Sequence, residues 1–377
     1  MFYLKHLSLE AFRNYRNQYI HFHPSLNIIT GDNAQGKTNL LEAIFFLSVN
    51  RSFKTRKDHE LAHFGENYFN IKGSFIKDDF NHIIQVGYRH NQRLILKVNN
   101  DQGSRYDYIQ DYPVIVFCPD DLQIISEGPS VRRRFLNLEA SRLDPAYLRE
   151  LRDYQRVLNQ RNRVLKDFQN RSKINEYLAP WDQSLVSLGV KIIRARKEMI
   201  KALEKEARHF FGEMTGYKEE LSLEYSSTVG NYNNPVEMEE QFHQDLLEKR
   251  DQEFKRRSTL LGPHLDDMVV MINEYNTRHY SSQGQKRTAA LALKMGEVSL
   301  FKQKHELCPI ILLDDVFSEF DQTRKQHLLD FIRNNAGQCF ITSAVDVNDM
   351  IEELKRSYKH IIINRGIIVD ETVRTGD

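Results

Sequence analysis

Apolar and polar residues alternate from the start of the chain. Leu4, Leu7 and Leu9 predict a half-buried strand over residues 3–9, followed by a turn near 13–15 and a second strand over 19–22. Residues 26–30 are a short apolar run that leads straight into Gly31. Over 38–47 the spacing becomes helical, with Leu40, Leu41, Ile44, Phe45 and Leu47 predicting an amphipathic helix. Further strands are predicted over 68–76, 82–88, 93–98 and 114–117. The first 125 residues therefore read as sheet plus one principal helix.

From about residue 130 the period lengthens. Tyr147, Leu151, Tyr154, Leu158, Leu165 and Phe168 keep a four–three alternation that only Arg161 interrupts. Trp181, Leu185, Leu188, Ile192, Ala195, Met199 and Ala202 repeat it. Joined by the polar stretch 169–175, these runs predict a helical hairpin, either a coiled-coil-like arm or an ordinary helical subdomain. Residues 212–235 are turn-rich, and a helix is predicted over 236–254. A strand over 268–272 and a helix over 285–302 come next. A strongly apolar strand (310–313), a helix (322–334) and strands at 339–342 and 360–363 complete the pattern. The order α/β, helices, α/β predicts one α/β nucleotide-domain-like unit (1–125 and 255–377) split by a helical insertion (126–254).

Composition adds bounds. Hydrophobic residues make up 40% of the 377, enough for a sizeable core. Lys and Arg total 53 against 52 Asp and Glu, a net charge of +1 that excludes a polycation working by bulk charge. No apolar run approaches the ~20 residues of a membrane span, and no secretory leader is read. The spacing of Cys118, Cys308 and Cys339 fits no metal site, so they read as buried structural thiols of a cytoplasmic protein.

Gly31-Asp32-Asn33-Ala34-Gln35-Gly36-Lys37-Thr38 fits G-x-x-x-x-G-K-[ST] in full, between a strand and a helix. Gly31 and Gly36 let the backbone N–H groups turn inward, and with the helix N-terminus these cradle phosphates. Lys37 is placed to reach the β/γ-phosphates and the Thr38 hydroxyl to ligate Mg²⁺, which predicts ATP or GTP binding. The strand at 310–313 ends in Asp314 and Asp315. Asp314 is expected to face Mg²⁺, and Asp315 to orient or polarise the attacking water. Residues 280–287 (Tyr-Ser-Ser-Gln-Gly-Gln-Lys-Arg) precede a helix. They read either as a second anion site or simply as a helix cap.

Taken in order, these motifs resemble those of the ABC-type ATPases, in particular the SMC branch and its RecF family of bacterial recombination-repair proteins. The resemblance rests on Gly31 through Ile44, on Ser282-Gln283-Gly284-Gln285-Lys286-Arg287-Thr288, and on Leu312 through Asp321. Weaker matches are Arg51-Ser52-Phe53, Phe117 through Leu122, Arg132-Arg133-Arg134-Phe135 and Leu261 through Asp267. Phe53, Phe320 and Leu265 depart from the family's usual His, Leu and Arg. The resemblance implies an ABC-type P-loop ATPase head with an inserted helical arm, and ATP with Mg²⁺ as the nucleotide. It implies an ATP-dependent homodimer in which Ser282, with Gly284 and Gln285, meets the nucleotide held at Lys37 of the other copy. It also implies DNA binding and work with RecR, RecO and RecA.

Arg51, Lys54, Arg56 and Lys57 crowd one loop, and Arg132, Arg133 and Arg134 open the helical region. Residues 121–173 carry 12 basic and 7 acidic side chains, 187–208 carry 7 and 3, and 209–253 carry 3 and 11. This segregation predicts a salt-sensitive, sequence-blind phosphate-binding surface. No aromatic-interleaved single-strand platform is read, so duplex or junction shape is the expected target. His264 reads either as a γ-phosphate sensor or as a structural residue. The expected function is an ATP-gated DNA clamp with slow, DNA-stimulated hydrolysis. The alternatives are an ATPase subunit of another complex, such as a transporter, and an ATPase-coupled nuclease, for which Asp266-Asp267 is the only spare acidic pair near a predicted strand.

Overall fold

The computed structural model describes residues 1–92, 94–103, 108–167, 173–230, 234–344, 354 and 356–374. Arg93, Phe168, most of the polar link at 169–175 and two of the asparagines near 231–234 lie outside the described residues. Short helical turns aside, the chain begins with β1 (Phe2–Phe12), β2 (Tyr15–His21), β3 (Leu26–Thr30) and α1 (Lys37–Val49). Next come β4 (Tyr68–Lys77), β5 (Phe80–Arg89), β6 (Ile95–Val98), β7 (Asp101–Gln102) and β8 (Val114–Phe117). The middle carries α2 (Pro129–Leu143), α3 (Pro145–Asp167), α4 (Ile174–Thr215), β9 (Leu221–Ser226), α5 (Pro235–Glu248), α6 (Arg250–Arg256), β10 (Asp267–Ile272) and β11 (Tyr275–Asn276). The rest is α7 (Gln283–His305), β12 (Ile310–Asp314), α8 (Gln322–Asn335), β13 (Cys339–Ser343), β14 (Tyr358–Asn364) and β15 (Ile367–Arg374).

Two compact units result, Met1–Asp121 with Lys294–Asp377, and Leu122–Leu293. The middle unit runs from Leu122 to Leu293, so the segment after residue 255 stays in it. The reason is local pairing: β10 joins β9 in register from Asp267↔Ser226 to Ile272↔Leu221, and this holds the segment in the middle unit. β9 itself was hidden in a stretch that reads as turns.

The first unit holds two six-stranded sheets. One is antiparallel, in the order β2-β1-β4-β5-β6-β7. The other runs β15-β14-β3-β13-β12-β8, with five parallel strands and β15 antiparallel at the edge. Apolar runs such as Ile310–Asp314 are buried along their whole length, as strands covered on both faces must be. α1 packs against strands of both sheets, and every residue of it except Thr38 and Asn39 is buried. It is therefore not the amphipathic helix expected, because sheets cover it on all sides. The buried Gln338 amide ties β1 to the edge of β13, accepting from Leu4 N–H at 2.8 Å and donating to Leu4 O at 2.9 Å and His23 O at 2.8 Å. Of the cysteines only Cys339 is buried, its thiol pushed up to about 12 by burial, while Cys118 and Cys308 are half-buried.

The second unit packs its helices on a three-stranded sheet in the order β11-β10-β9. α4 packs not only on α3 but also on α5 and β9, so its buried positions extend past a two-helix seam to Val186, Val190, Ile193 and Leu203. Arg161, the residue that broke the α3 heptads, is fully buried. Its guanidinium donates to Asp182 at 2.8 Å, to Glu253 at 3.1 and 2.6 Å and to Thr259 Oγ1 at 2.7 Å. Arg250 closes the group with a 2.5 Å contact to Asp182. Two arginines and two carboxylates thus neutralise one another away from water, the condition under which buried charge is tolerated. Replacing Arg161 by Leu removes the bidentate partner of the buried Glu253 and leaves the buried Asp182 with Arg250 alone. It is expected to cost about 3–5 kcal/mol, with Arg161→Lys recovering only part of the loss; urea unfolding of the variants measures this.

Candidate nucleotide-binding site

Parallel strands β3, β13 and β12 present their carboxyl ends together, the edge at which open α/β sheets bind ligands. The phosphate loop leaves β3 there. Gly31 and Gly36 have φ of 147° and 119°, and Ala34 is left-handed at 63°. A Cβ on Gly36 would lie 2.6 Å from Asn14 Nδ2, and one on Gly31 would collide with Ile363 O, so neither position admits a side chain. No side chain caps the N-terminus of α1. Its first N–H groups and positive dipole end face the loop's concavity, where an anion fits.

Two turns hold the loop in shape. Asn14 Nδ2 and Gly366 N–H donate to Gln35 O at 2.8 and 2.9 Å, and Arg365 N–H donates to Gln35 Oε1 at 2.6 Å. The buried Tyr15 hydroxyl donates to Gly36 O at 2.8 Å. Sequence reading placed a turn at 13–15 but gave these residues no role. The only signal for them was a polar turn with a buried tyrosine.

Lys37 Nζ donates to Gly31 O at 2.5 Å and Asp32 O at 2.8 Å, so the ammonium lies across the loop. Burial pulls its pKa below the usual lysine range, opposed by the negative charges of Asp315, Asp314 and Asp32. The Thr38 hydroxyl donates to Asp314 Oδ1 at 2.7 Å. Burial pushes the Asp314 carboxyl above its ordinary value, while the hydrogen bonds from Thr38 and Thr342 pull the other way. Thr342 sits on β13, between β3 and β12. Its hydroxyl lies 3.0 Å from Asp314 Oδ1 and accepts the Asp315 N–H at 3.0 Å. Asp315 is held at a left-handed φ of 53°, a strained conformation of the kind concentrated at functional sites. Thr342 was not anticipated. Its one sequence signal is a polar residue at the end of an apolar strand.

In the second unit, Ser282 and Gln285 form a capping box at the start of α7. Ser282 Oγ accepts the Gln285 N–H at 3.2 Å, and Gln285 Oε1 accepts the Ser282 N–H at 2.7 Å. Gly284 lies inside the first turn. The Asp266-Asp267 pair is spent internally. Asp267 takes a bidentate Arg132 at 2.8 and 2.7 Å, and Asp266 accepts from Tyr225 at 2.6 Å and from Thr228 N–H and Oγ1 at 2.7 Å each. Among the described residues no group of three or more His, Cys, Asp or Glu side chains is arranged to hold a metal. His264 is fixed between the Tyr154 hydroxyl at 2.7 Å and Thr259 O at 3.4 Å, which supports the structural reading.

The basic residues divide. Arg51, Lys54, Arg56, Lys57 and Arg134 are exposed. Arg133 is half-buried and donates to Asp266 O at 2.8 Å. Arg132 is corrected: only 6% exposed and committed to Asp267, it has no free face for a phosphate. Arg142, Arg161 and Arg196 are buried too, so part of the basic excess in the helical region is internal.

Residues 3–368 match the RecF/RecN/SMC N-terminal domain family. A DNA replication and repair protein RecF of Ligilactobacillus salivarius (strain UCC118) is 38% identical over 375 residues, 98% of each chain. The chain belongs to the RecF family. Another relative, the RecF protein of Streptococcus equi subsp. equi (strain 4047), is 36% identical over 371 residues, covering 98% of this chain and 99% of the relative. The solved structure of the recombination mediator protein RecF-ATP of the RecFOR pathway matches this RecF-family chain with a TM-score of 0.89 and 34% identity, covering 98% of this chain and 99% of the other. An Smc head domain from Pyrococcus furiosus shares the fold, with a TM-score of 0.56 at 16% identity over all of this chain and 97% of the other. No helix among the described residues is long and apolar enough to cross a membrane.

Burial lowers the His264 pKa from 6.5 to about 4, so the folded protein holds it neutral. The unfolded chain binds that proton more readily. The stability His264 supplies is therefore full above pH 6.5 and is lost as pH falls towards 4. Between pH 7 and 5 this single site is expected to remove about 2 kcal/mol. His264→Gln, which does not titrate, should flatten that part of the pH profile in denaturant unfolding.

Proposed function

We propose that this RecF-family chain is an ATP-gated DNA-binding protein of recombinational repair and replication-gap processing. The observation that carries the nucleotide part is the phosphate loop with Thr38 hydrogen-bonded to Asp314 at 2.7 Å. Gly31 through Gly36 and the N-terminus of α1 surround the phosphates, and Lys37 swings from the loop carbonyls to the β/γ oxygens. The Thr38 hydroxyl and the Asp314 carboxylate are a hard-oxygen pair that suits Mg²⁺, which when bound neutralises phosphate charge. Asp315, on its strained turn, orients the attacking water, and the hydrolysis it supports is slow, DNA-stimulated and resetting.

ATP acts as a ligand that favours the dimer. The α7 N-terminus of one copy, with Ser282, Gly284 and Gln285, meets the γ-phosphate held at Lys37 of the other, joining two heads across DNA. The head is the α/β part and the helical insertion is its arm. The phosphate-contacting side chains are Arg51, Lys54, Arg56, Lys57 and Arg134, with Arg133 contributing its free face. RecO and RecR are the expected partners, in keeping with the RecFOR pathway of the matched RecF structure, and RecA and a cytoplasmic location are expected from the family resemblance.

Sizing by light scattering tests the dimer. Lys37→Met is expected to abolish ATP binding. Ser282→Arg is expected to bind ATP but stay monomeric, whereas Ser282→Thr, which keeps the helix cap, dimerises. Asp315→Asn is expected to accumulate ATP-bound dimers. A Ser282→Arg protein that still dimerises with ATP overturns the trans arrangement. Duplex affinity in ATP is expected to fall steeply with salt, with a log–log slope of about −0.9 per phosphate contact. A flat response in a salt titration removes the phosphate surface.

A further inference from the structure

Phe64 is 97% exposed, the most exposed large hydrophobic side chain among the described residues. Single exposed apolar residues are ordinary. What sets this one apart is that its backbone is fixed and that the excursion carrying it also carries four exposed cations.

Phe64 lies on the excursion of residues 51–66 between α1 and β4. That excursion is pinned along its length. Arg13 N–H donates to Leu61 O at 2.7 Å, Ala62 bridges to Phe12, and His63 N–H donates to Ala11 O at 2.8 Å. Glu66 N–H then closes on His63 O at 2.8 Å, across Gly65 at a left-handed φ of 87°. Phe64 sits at the tip of this closed turn. The base of the excursion is clamped as well. The Arg13 guanidinium grips Glu42 of α1 with two 2.8 Å bonds and donates to Glu60 O at 2.9 Å, while Ser52 hydrogen-bonds Glu42. The ring is therefore presented to water by a held backbone.

Arg51, Lys54, Arg56 and Lys57 are exposed on the same excursion. Of its three acids, Asp58 is half-buried, Glu60 pairs with Lys57 and accepts from Thr55, and Glu66 sits in the turn itself. The four cations make a surface for phosphates that cannot tell one DNA structure from another. An aromatic face adds what they lack. It has a partner only where a base shows its π-face, and an uninterrupted duplex shows none along its length. A gap end or single-strand/duplex junction shows one.

We propose that Phe64 is the residue by which this protein distinguishes DNA ends and gaps from continuous duplex, stacking on the exposed terminal base while Arg51, Lys54, Arg56 and Lys57 hold the flanking phosphates. This rests on the DNA-binding reading above. It revises the expectation of recognition by shape alone, since one stacking residue supplies direct contact to a base.

The test is equilibrium binding of the full chain, with ATP, to labelled circular DNA carrying a gap and to covalently closed circular duplex of the same length, which has no end. Wild type is expected to prefer the gapped DNA. Phe64→Ala is expected to lose on the order of tenfold affinity for it while holding the duplex within twofold. Phe64→Trp keeps the preference, and gapped DNA quenches its emission. Equal losses on both DNAs, or no loss on either, overturn the proposal, and the second outcome leaves Phe64 to a protein partner. The triple variant Lys54→Glu, Arg56→Glu, Lys57→Glu separates the two readings. If it binds both DNAs as wild type does, the basic excursion is not a DNA surface. If it loses both while Phe64→Ala changes neither, the surface stands and only the stacking role fails.

Discussion

The candidate nucleotide site depends on keeping Thr38 within hydrogen-bond reach of Asp314, 276 residues further along the chain. β3 and β12 are not neighbours, because β13 runs between them. The sheet solves this by ending all three strands on one edge and filling the gap with the Thr342 hydroxyl, which contacts Asp314 and the Asp315 N–H. The parallel register that pairs Thr342 with both Asp314 and Ile29 is what aligns the three ends. A one-residue slip in either pairing would point Thr342 or Asp314 to the other face of the sheet.

The same constraint explains why α1 is buried nearly all round. Its first turn must hold the phosphate loop over the parallel sheet, while its body supports the antiparallel sheet. A helix in that position cannot keep a polar face; its buried Lys37 turns back to the loop carbonyls, and its buried Glu42 is satisfied by Arg13 and Ser52. Those bonds also fix the basic excursion at residues 51–66. The phosphate loop and the basic excursion are thus braced by one short helix.

Charge in the helical unit works differently from what its sequence distribution implies. Arg132, Arg142, Arg161 and Arg196 are interior residues that satisfy carboxylates, carbonyls and hydroxyls. A one-dimensional count cannot separate an arginine that buries its guanidinium among acceptors from one that offers it to solvent. Arg161 showed its interior role only as a break in an apolar heptad.

The amino-acid sequence by itself determined the strand–loop–helix that carries Lys37 and Thr38, the acidic strand end at Asp314 and Asp315, and most strands and helices. The reason is that each is local: the chemistry and the periodicity lie within a dozen contiguous residues. Family membership followed from the same motifs in their order. Only the tertiary structure decided what depends on contacts between distant segments. Asn14, Tyr15 and Gly366 brace the phosphate loop, Thr342 bridges two strand ends, and β9 draws residues 255–293 into the helical unit. Exposure was decided there too. Phe64 and Arg132 are ordinary letters in a sequence, and folding left the first in water and closed the second around Asp267.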